Sequence, residues 1–185
     1  DYRGSDNLLM HAWSIKTKLM GAGVIAMVLI MSVAYAGWRG MTRMIAASDG
    51  LQRTATALHN HQEADMMHDA LRSDVLSAFM AEDESGRQTV RTGLEEHARH
   101  FRQAVSDNKA LGLAADVRQM LNESEAEMER YLGVARQTAE LAMKDRPAAH
   151  KVMPAFDQAF KALEEKNERV SQQLEATAKQ ANAAS

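Results

Sequence analysis

The feature that most constrains this chain is an uninterrupted apolar run near its amino terminus. Residues 19–38 read LMGAGVIAMVLIMSVAYAGW and contain no charge and no strongly polar group beyond one serine. Twenty helical residues rise about 30 Å, which matches the hydrocarbon core of a bilayer. Tyr35 and Trp38 lie near one end, where amphipathic rings favour the interface. The run therefore predicts a transmembrane helix over residues 19–38.

A cleaved signal peptide is the competing interpretation of this run. The apolar region of a signal peptide usually spans about 7–15 residues and ends at a small-residue cleavage site. The run here is longer, and the Ala-Tyr-Ala sequence at 34–36 is a poor cleavage site. We therefore predict a retained signal anchor. Because Lys16 and Lys18 precede the run while Arg39 and Arg43 follow it, charge alone does not decide its orientation.

Composition predicts an all-α fold for the remainder. Aromatic residues make up 5% of the 185 residues, there are 2 prolines, and no run of β-branched residues alternates with polar ones. Cysteine is absent, which excludes disulfides and cysteine-ligated metals. No basic stripe points to nucleic acid. Residues 1–9 differ in character from the rest, and Met10 is a plausible natural start.

After the apolar run, apolar residues recur at helical spacing in four stretches. Glu82 to Gly86 separates the first two, with Gly86 predicted to end the first helix in a left-handed conformation. Pro147 is well placed to begin the last. Each stretch is apolar along one stripe, so four antiparallel helices can bury their stripes in one core. The sequence predicts an up-down four-helix bundle that continues the transmembrane helix, with helices over about 41–81, 87–108, 114–144 and 148–183.

The first bundle helix interrupts its own apolar stripe. Steps of three and four residues from Leu58 reach a run of polar positions, and then Val75 and Phe79. These polar positions are His61, Asp65, His68 and Arg72. Burying such groups without partners costs several kcal/mol, so we expect them to be paired, hydrated or bound to a ligand.

The second helix offers partners for these polar groups. In an antiparallel hairpin, residue 68 lies roughly level with residue 100, and His97 lies in the apolar stripe. His61, His68, His97 and His100 are therefore predicted to converge, with Asp65 and Glu96 nearby. Imidazoles are common ligands of haem iron and transition metals. Haem or a transition metal ion is thus one predicted occupant.

Two other interpretations of this layer stay open. It is either a structural polar layer without ligand, or a site for a small anionic ligand. The residues predicted to bind such a ligand are Arg72, Asp65, His68 and His97. The methionines lie at or near core spacing and indicate packing rather than copper binding. There is no phosphate loop, nucleophile elbow or catalytic triad signature, so the sequence does not predict an enzyme.

Two segments resemble methyl-accepting chemotaxis proteins. Ser14-Ile15-Lys16-Thr17-Lys18-Leu19 precedes the apolar run as in the amino termini of these receptors, and Asp65 to Val75 is similar to the first sensor helix of some of them. The resemblance implies a homodimeric ligand-binding bundle in the periplasm, whose ligand displaces a helix running to the cytoplasm. It also implies cytoplasmic signalling domains beyond this chain. In aspartate-type receptors arginines of the first helix bind ligand, and Arg72 is the nearest equivalent.

These observations together predict a bacterial inner-membrane sensor. Residues 1–18 form a cytoplasmic segment, 19–38 the transmembrane helix, and 39–185 the periplasmic ligand-binding bundle. The predicted function is detection of a periplasmic signal by a chemoreceptor and its transmission to cytoplasmic partners. The alternatives are a haem- or metal-binding sensor of gas or redox state, a histidine kinase sensor domain, and a bundle that binds a partner protein.

Overall fold

Four α-helices make up the part of the chain that a computed structural model describes, residues 15–183, with side chains described to residue 180. They are α1 (Ile15–Met80), α2 (Glu84–Ala110), α3 (Ala115–Lys144) and α4 (Arg146–Ala183). The predicted all-α fold is confirmed, and the apolar run and the first bundle helix belong to one continuous helix. Of the predicted segment 1–18, residues 1–14 lie outside the described residues.

The chain divides into two units, residues 1–46 and residues 47–185. In the first unit every described residue belongs to α1 and is exposed. Among residues 15–183, α1 is the helix that is long and apolar enough to cross a membrane, and none of its most apolar 18-residue window is buried. Helix length, composition and exposure suggest a membrane anchor, because such a surface would otherwise face water.

The connection between α1 and α2 differs from the prediction. Asp83 caps α2, and its Oδ1 atom accepts a hydrogen bond of 2.7 Å from the Gly86 N–H. Gly86 thus lies in the first turn of α2, and the predicted left-handed ending of the first helix at this glycine is wrong. The acidic cluster that marks the end of one helix also supplies the cap of the next, so α2 begins before the predicted residue 87.

The two later connections are short. Gly112 follows α2 with a φ of +65°, a backbone conformation that glycine adopts without steric cost. Between α3 and α4, Oδ1 of Asp145 accepts a hydrogen bond of 3.0 Å from the Ala148 N–H. Pro147 lies in the first turn of α4, as predicted, where its missing N–H leaves no helical hydrogen bond unmade.

Side-chain contacts define the antiparallel arrangement of the second unit. As residue numbers rise along one helix, those of its partners fall along the next. Residues 57 and 74 of α1 contact residues 108 and 97 of α2. Residues 91 and 102 of α2 contact residues 140 and 129 of α3. Residues 116 and 124 of α3 contact residues 173 and 167 of α4. Residues 61 and 68 of α1 contact residues 167 and 160 of α4. The predicted antiparallel bundle is confirmed.

Each helix contributes one row of residues to the core, with alternating steps of three and four. In α1 the row consists of residues 57, 61, 64, 68, 71, 75 and 78, all buried. Steps that average 3.5 residues keep one helix face against its neighbours, as in coiled coils. Alanines at positions 57, 64 and 78 allow the neighbouring helices to pack closely.

Buried apolar residues form two clusters in the second unit. The larger contains Leu71, Phe101, Tyr131 and Phe160 among others. The smaller consists of Ala57, Val117, Leu121, Val170 and Leu174. Along α1, α3 and α4, the core positions between the two clusters are residues 61, 124 and 167, which are all polar and buried. Polar residues thus separate two apolar parts of one core.

Candidate functional site

The histidine–aromatic cluster consists of His68, Phe101, Tyr131 and Phe160, one residue from each helix. His68 is 2% exposed and stacks on Phe160, with ring centroids 4.0 Å apart and ring planes at 14°. Tyr131 meets the imidazole edge-on at 4.9 Å, and Phe101 lies at 6.4 Å. Because all four helices meet at this imidazole, a shift of any helix changes its surroundings.

Hydrogen bonding around His68 is incomplete. The Tyr131 hydroxyl donates to the His68 backbone carbonyl at 3.1 Å. Nε2 of His68 is buried and has no hydrogen-bond partner. Burial lowers the pKa of the His68 imidazole, and the carboxylates of Asp65 and Asp69 oppose this shift. The cluster therefore favours the neutral imidazole and disfavours its protonation.

Arg72 extends this cluster to the surface. It is exposed, and its guanidinium carbon lies 4.6 Å from the centre of the Phe160 ring. A cation over an aromatic face is attracted by the ring quadrupole, and the contact leaves the N–H donors at the guanidinium edge free for an anion. Phe160 thus contacts both an exposed cation and a buried imidazole, which links the α1–α4 surface to the core.

The polar layer consists of His61, Asn108, Ser124 and Asn167. Nε2 of His61 lies 2.9 Å from the Asn167 carbonyl oxygen. Since a carbonyl only accepts, this nitrogen carries the proton. Ser124 Oγ donates to Oδ1 of Asn167 at 3.1 Å, and Nδ2 of Asn108 donates to the Ala57 carbonyl at 3.0 Å. The layer thereby connects α1 to both α2 and α4.

The polar layer is only partly satisfied. Oδ1 of Asn108 and Nδ2 of Asn167 are buried without hydrogen-bond partners. An unmade hydrogen bond of this kind costs about 1–3 kcal/mol. Burial lowers the pKa of His61, while the hydrogen bond to Asn167 and the charges of Asp65 and Glu168 oppose the shift. The core is consequently less stable at this level than an apolar layer would be.

His97 belongs to a separate contact between α1 and α2. Its Nδ1 atom lies 2.6 Å from Oδ2 of Asp74, and the two side chains are 32% and 16% exposed. A Cβ at position 93 would lie 2.9 Å from Oδ1 of Asp74. Gly93 therefore allows this carboxylate to approach α2 closely, and the pair joins the two helices at a half-buried edge.

The structure separates the residues that the sequence predicts to converge. His61 lies in the polar layer and His68 in the aromatic cluster. His100 is exposed, with Nε2 at 2.9 Å from Nη2 of Arg99. Among the described residues no group of three or more histidine, aspartate or glutamate side chains could hold a metal ion. The structure therefore does not bring the four histidines together in one cluster.

The predicted ligand-binding residues are likewise divided. Asp65 and Arg72 are exposed rather than part of the core row, while His68 is fully enclosed. Arg72 lies at the α1–α4 interface and His97 at the α1–α2 interface. The interpretation of four successive polar core positions is thus wrong for Asp65 and Arg72, because the row passes through Ala64 and Leu71 instead.

Sequence reasoning missed three buried polar residues of the site. Asn108, Ser124 and Asn167 are 1%, 5% and 5% exposed. A signal for Asn167 was present, since it stands four residues after Leu163 and three before Val170 in the apolar stripe of α4. Such residues are easily assigned to the solvent face because asparagine and serine are usually exposed.

Comparison with known proteins identifies the kind of module. The chain matches the four helix bundle sensory module for signal transduction over residues 12–185. No curated protein and no solved structure matches it significantly. The matching family is a sensory domain and not a catalytic one. With its four antiparallel helices and nearly complete match, the chain belongs to the family of four-helix-bundle sensory modules for signal transduction.

Proposed function

We propose that this chain is the sensory module of a transmembrane chemoreceptor, which detects a periplasmic signal and transmits it to a cytoplasmic signalling domain. The observation that carries the proposal is helix α1, Ile15–Met80, which contains both an apolar stretch long enough to span a membrane and a core row of the bundle. The sensory family supports it. On this proposal the anchor lies in the bacterial inner membrane and the bundle in the periplasm.

The proposed signal-sensitive contacts are those that join α1 to α4. They are the stacking of His68 on Phe160 and the hydrogen bond between His61 and the Asn167 carbonyl. Both contacts involve residues with buried polar atoms that lack hydrogen-bond partners. A second helix arrangement that gives these atoms other partners would therefore cost little free energy. A ligand shifts such an equilibrium only by its difference in affinity for the two arrangements.

The ligand is proposed to be a small anion that contacts Arg72. The guanidinium is exposed and already rests on Phe160, so an anion that draws it away would alter the ring that stacks on His68. Charge-assisted hydrogen bonds from arginine to carboxylates are strong and are often bidentate. Asp65, which is exposed on the same helix, would select for ligands that also carry a cationic group.

A thermal-shift screen of the full chain in detergent micelles tests this proposal. Organic acids and amino acids are the probes. A ligand present at a hundred times its Kd is expected to stabilise the bundle by about 2.7 kcal/mol. Arg72→Ala should weaken binding on the order of tenfold or more, whereas the matched control Arg53→Ala, exposed on the same helix, should not.

Two outcomes would contradict the small-anion proposal. Equal loss of binding in both arginine variants would mean that Arg72 has no specific role. Absence of any stabilising compound would favour the alternative in which a partner protein is the signal.

A homodimer that pairs α1 with α1 of a second copy is also proposed. Residues 66, 69, 73, 76 and 80 of α1 follow the same steps of three and four as the core row but are exposed. Met66, Leu76 and Met80 place apolar side chains on this outer row, which are 58%, 49% and 78% exposed. A second copy would cover them.

Cysteine cross-linking tests this interface directly because the chain has no cysteine of its own. Leu76→Cys is expected to form a disulfide-linked dimer in membranes under mild oxidation. Gln137→Cys, at an exposed position of α3, serves as the control and should stay monomeric. Equal cross-linking at the two positions would show random collision and would contradict pairing through α1.

A further inference from the structure

Charge is distributed unevenly around the apolar run. Between Asp6 and Asp49 the sequence contains no acidic residue, although the chain as a whole carries a net charge of −3. Arg39 and Arg43 follow the run directly, at the end that carries its aromatic residues. Among the described residues no ion pair involves Arg39 or Arg43, so each lacks a protein counter-ion there.

The two arginines lie in the same groove as the two aromatic residues. Tyr35, Trp38, Arg39, Thr42 and Arg43 line one open groove along α1. Residues spaced by three or four positions lie on the same helix face. Both arginines therefore project beside the two amphipathic rings, which favour the level of the lipid headgroups.

Hydrogen bonding leaves most donors in this groove free. Nη1 of Arg39 donates to the Tyr35 hydroxyl oxygen at 3.0 Å, which orients the guanidinium and leaves the tyrosine O–H free to donate. Thr42 Oγ1 donates to the Arg39 carbonyl, so its proton is already used. The remaining donors match the oxygens of a phosphate, for which arginine is the preferred bidentate partner.

We propose that Tyr35, Arg39 and Arg43 bind the phosphate of an anionic phospholipid headgroup at the end of the apolar run. The proposal rests on the membrane anchor of the proposed function. Two arginines on the far side of a signal anchor oppose the usual distribution of positive charge. An anionic headgroup at this level supplies the counter-charge that the described part of the chain does not provide, and it holds α1 at a defined depth.

Fluorescence quenching of Trp38 by brominated lipid tests the proposal. The full chain with Trp13→Phe, which leaves Trp38 as the only tryptophan, is reconstituted in brominated phosphatidylcholine mixed with unbrominated phosphatidylglycerol. Selective binding of phosphatidylglycerol relieves the quenching. Replacing one arginine, in Arg39→Gln or Arg43→Gln, should lower the preference for phosphatidylglycerol roughly fivefold. Arg53→Gln is the matched control and should leave it unchanged.

The possible outcomes distinguish failure of the headgroup site from failure of the membrane anchor. Absence of quenching in pure brominated phosphatidylcholine would contradict insertion and thus the anchor. Quenching without any preference for phosphatidylglycerol would overturn the headgroup site and leave the anchor intact. Loss of the preference in excess inorganic phosphate, at an ionic strength matched with chloride, would assign the groove to free phosphate rather than lipid. Retention of the preference supports the lipid.

Discussion

His61 and His68 are the residues at which this core departs most from an apolar interior. Both occupy the same position of the α1 row, seven residues apart, and both are buried. His61 has a carbonyl partner for Nε2, whereas Nε2 of His68 has none. Burial lowers the pKa of each imidazole from the ordinary value of 6.5. Both groups therefore make the bundle sensitive to acid.

The sign of this sensitivity follows from proton linkage. In the unfolded chain both histidines bind protons as the pH falls through 6.5, while the folded bundle resists protonation until a lower pH. Stability should thus be complete above pH 6.5 and decrease below it. We expect the melting temperature of the full chain, followed by circular dichroism, to fall between pH 7.5 and pH 5 (approximate limits on either side of the ordinary histidine pKa).

Substitution of the two histidines tests whether they cause the loss of stability in acid. In the double variant His61→Gln/His68→Gln the acid-induced decrease should be smaller, because neither side chain binds a proton in this range. His59→Gln, at an exposed position of the same helix, is the control and should retain it. A pH dependence unchanged in the double variant would assign the effect to other titratable groups instead.

At the scale of elements, the helices are held by contacts that differ in chemistry from one interface to the next. The α1–α2 interface includes the Asp74–His97 pair, and the α2–α3 interface has the bidentate pair of Arg102 and Glu129, at 2.6 and 2.7 Å. The α1–α4 interface has instead the stacking of His68 on Phe160, the contact of Arg72 with the same ring, and one bond to a backbone carbonyl. The α1–α4 interface is therefore the one best suited to shift.

Two glycines in helix interiors provide a matched test of the α1–α2 contact. A Cβ at position 133 would meet nothing within 4 Å, so Gly133→Ala should stabilise the bundle by about 1 kcal/mol through helix propensity. Gly93→Ala should gain less or lose stability, since its Cβ would meet Asp74 at 2.9 Å. Thermal unfolding measures both.

A third variant tests whether Asp74 causes the difference between the two glycine substitutions. In an Asp74→Ala background the obstacle is removed, and Gly93→Ala should then stabilise the bundle as much as Gly133→Ala does. If Gly93→Ala is equally favourable with and without the carboxylate, the close approach of Asp74 has no energetic consequence.

At the scale of the bundle, the polar layer divides the core into a larger and a smaller apolar cluster. The smaller cluster includes Ala57, near the start of the bundle part of α1, and Leu174, in the later part of α4. Partly satisfied polar groups between two apolar clusters reduce stability but leave alternative pairings available. This division is consistent with a module that exchanges between two helix arrangements.

Replacing residues of the polar layer with apolar ones tests how much the layer reduces the stability of the bundle. Ser124→Ala alone leaves Oδ1 of Asn167 without its donor and should destabilise the bundle by about 1–3 kcal/mol. The double variant Ser124→Ala/Asn167→Leu joins the two clusters and should be at least as stable as the natural chain. Chemical unfolding measures the difference, and a double variant less stable than the natural chain would show that the polar layer contributes net stability.

The sequence by itself determined the elements. Apolar length predicted the exposed apolar stretch within α1, helical periodicity predicted four helices, and Pro147 marked the start of the last. These features depend on local spacing and on residue type, which are properties of the chain alone. The helix limits were predicted to within a few residues in the bundle, apart from the Asp83 cap.

Only tertiary structure decided which row of α1 is buried. A row that starts at Leu58 and one that starts at Ala57 both contain residues 61, 68 and 75, and they differ in placing either 65 and 72 or 64 and 71 inside. Periodicity does not distinguish two rows that share every second member, and alanine reveals little about burial. Contacts with the neighbouring helices decide between the two rows, because Phe101, Tyr131 and Phe160 enclose His68 and leave Arg72 at the surface.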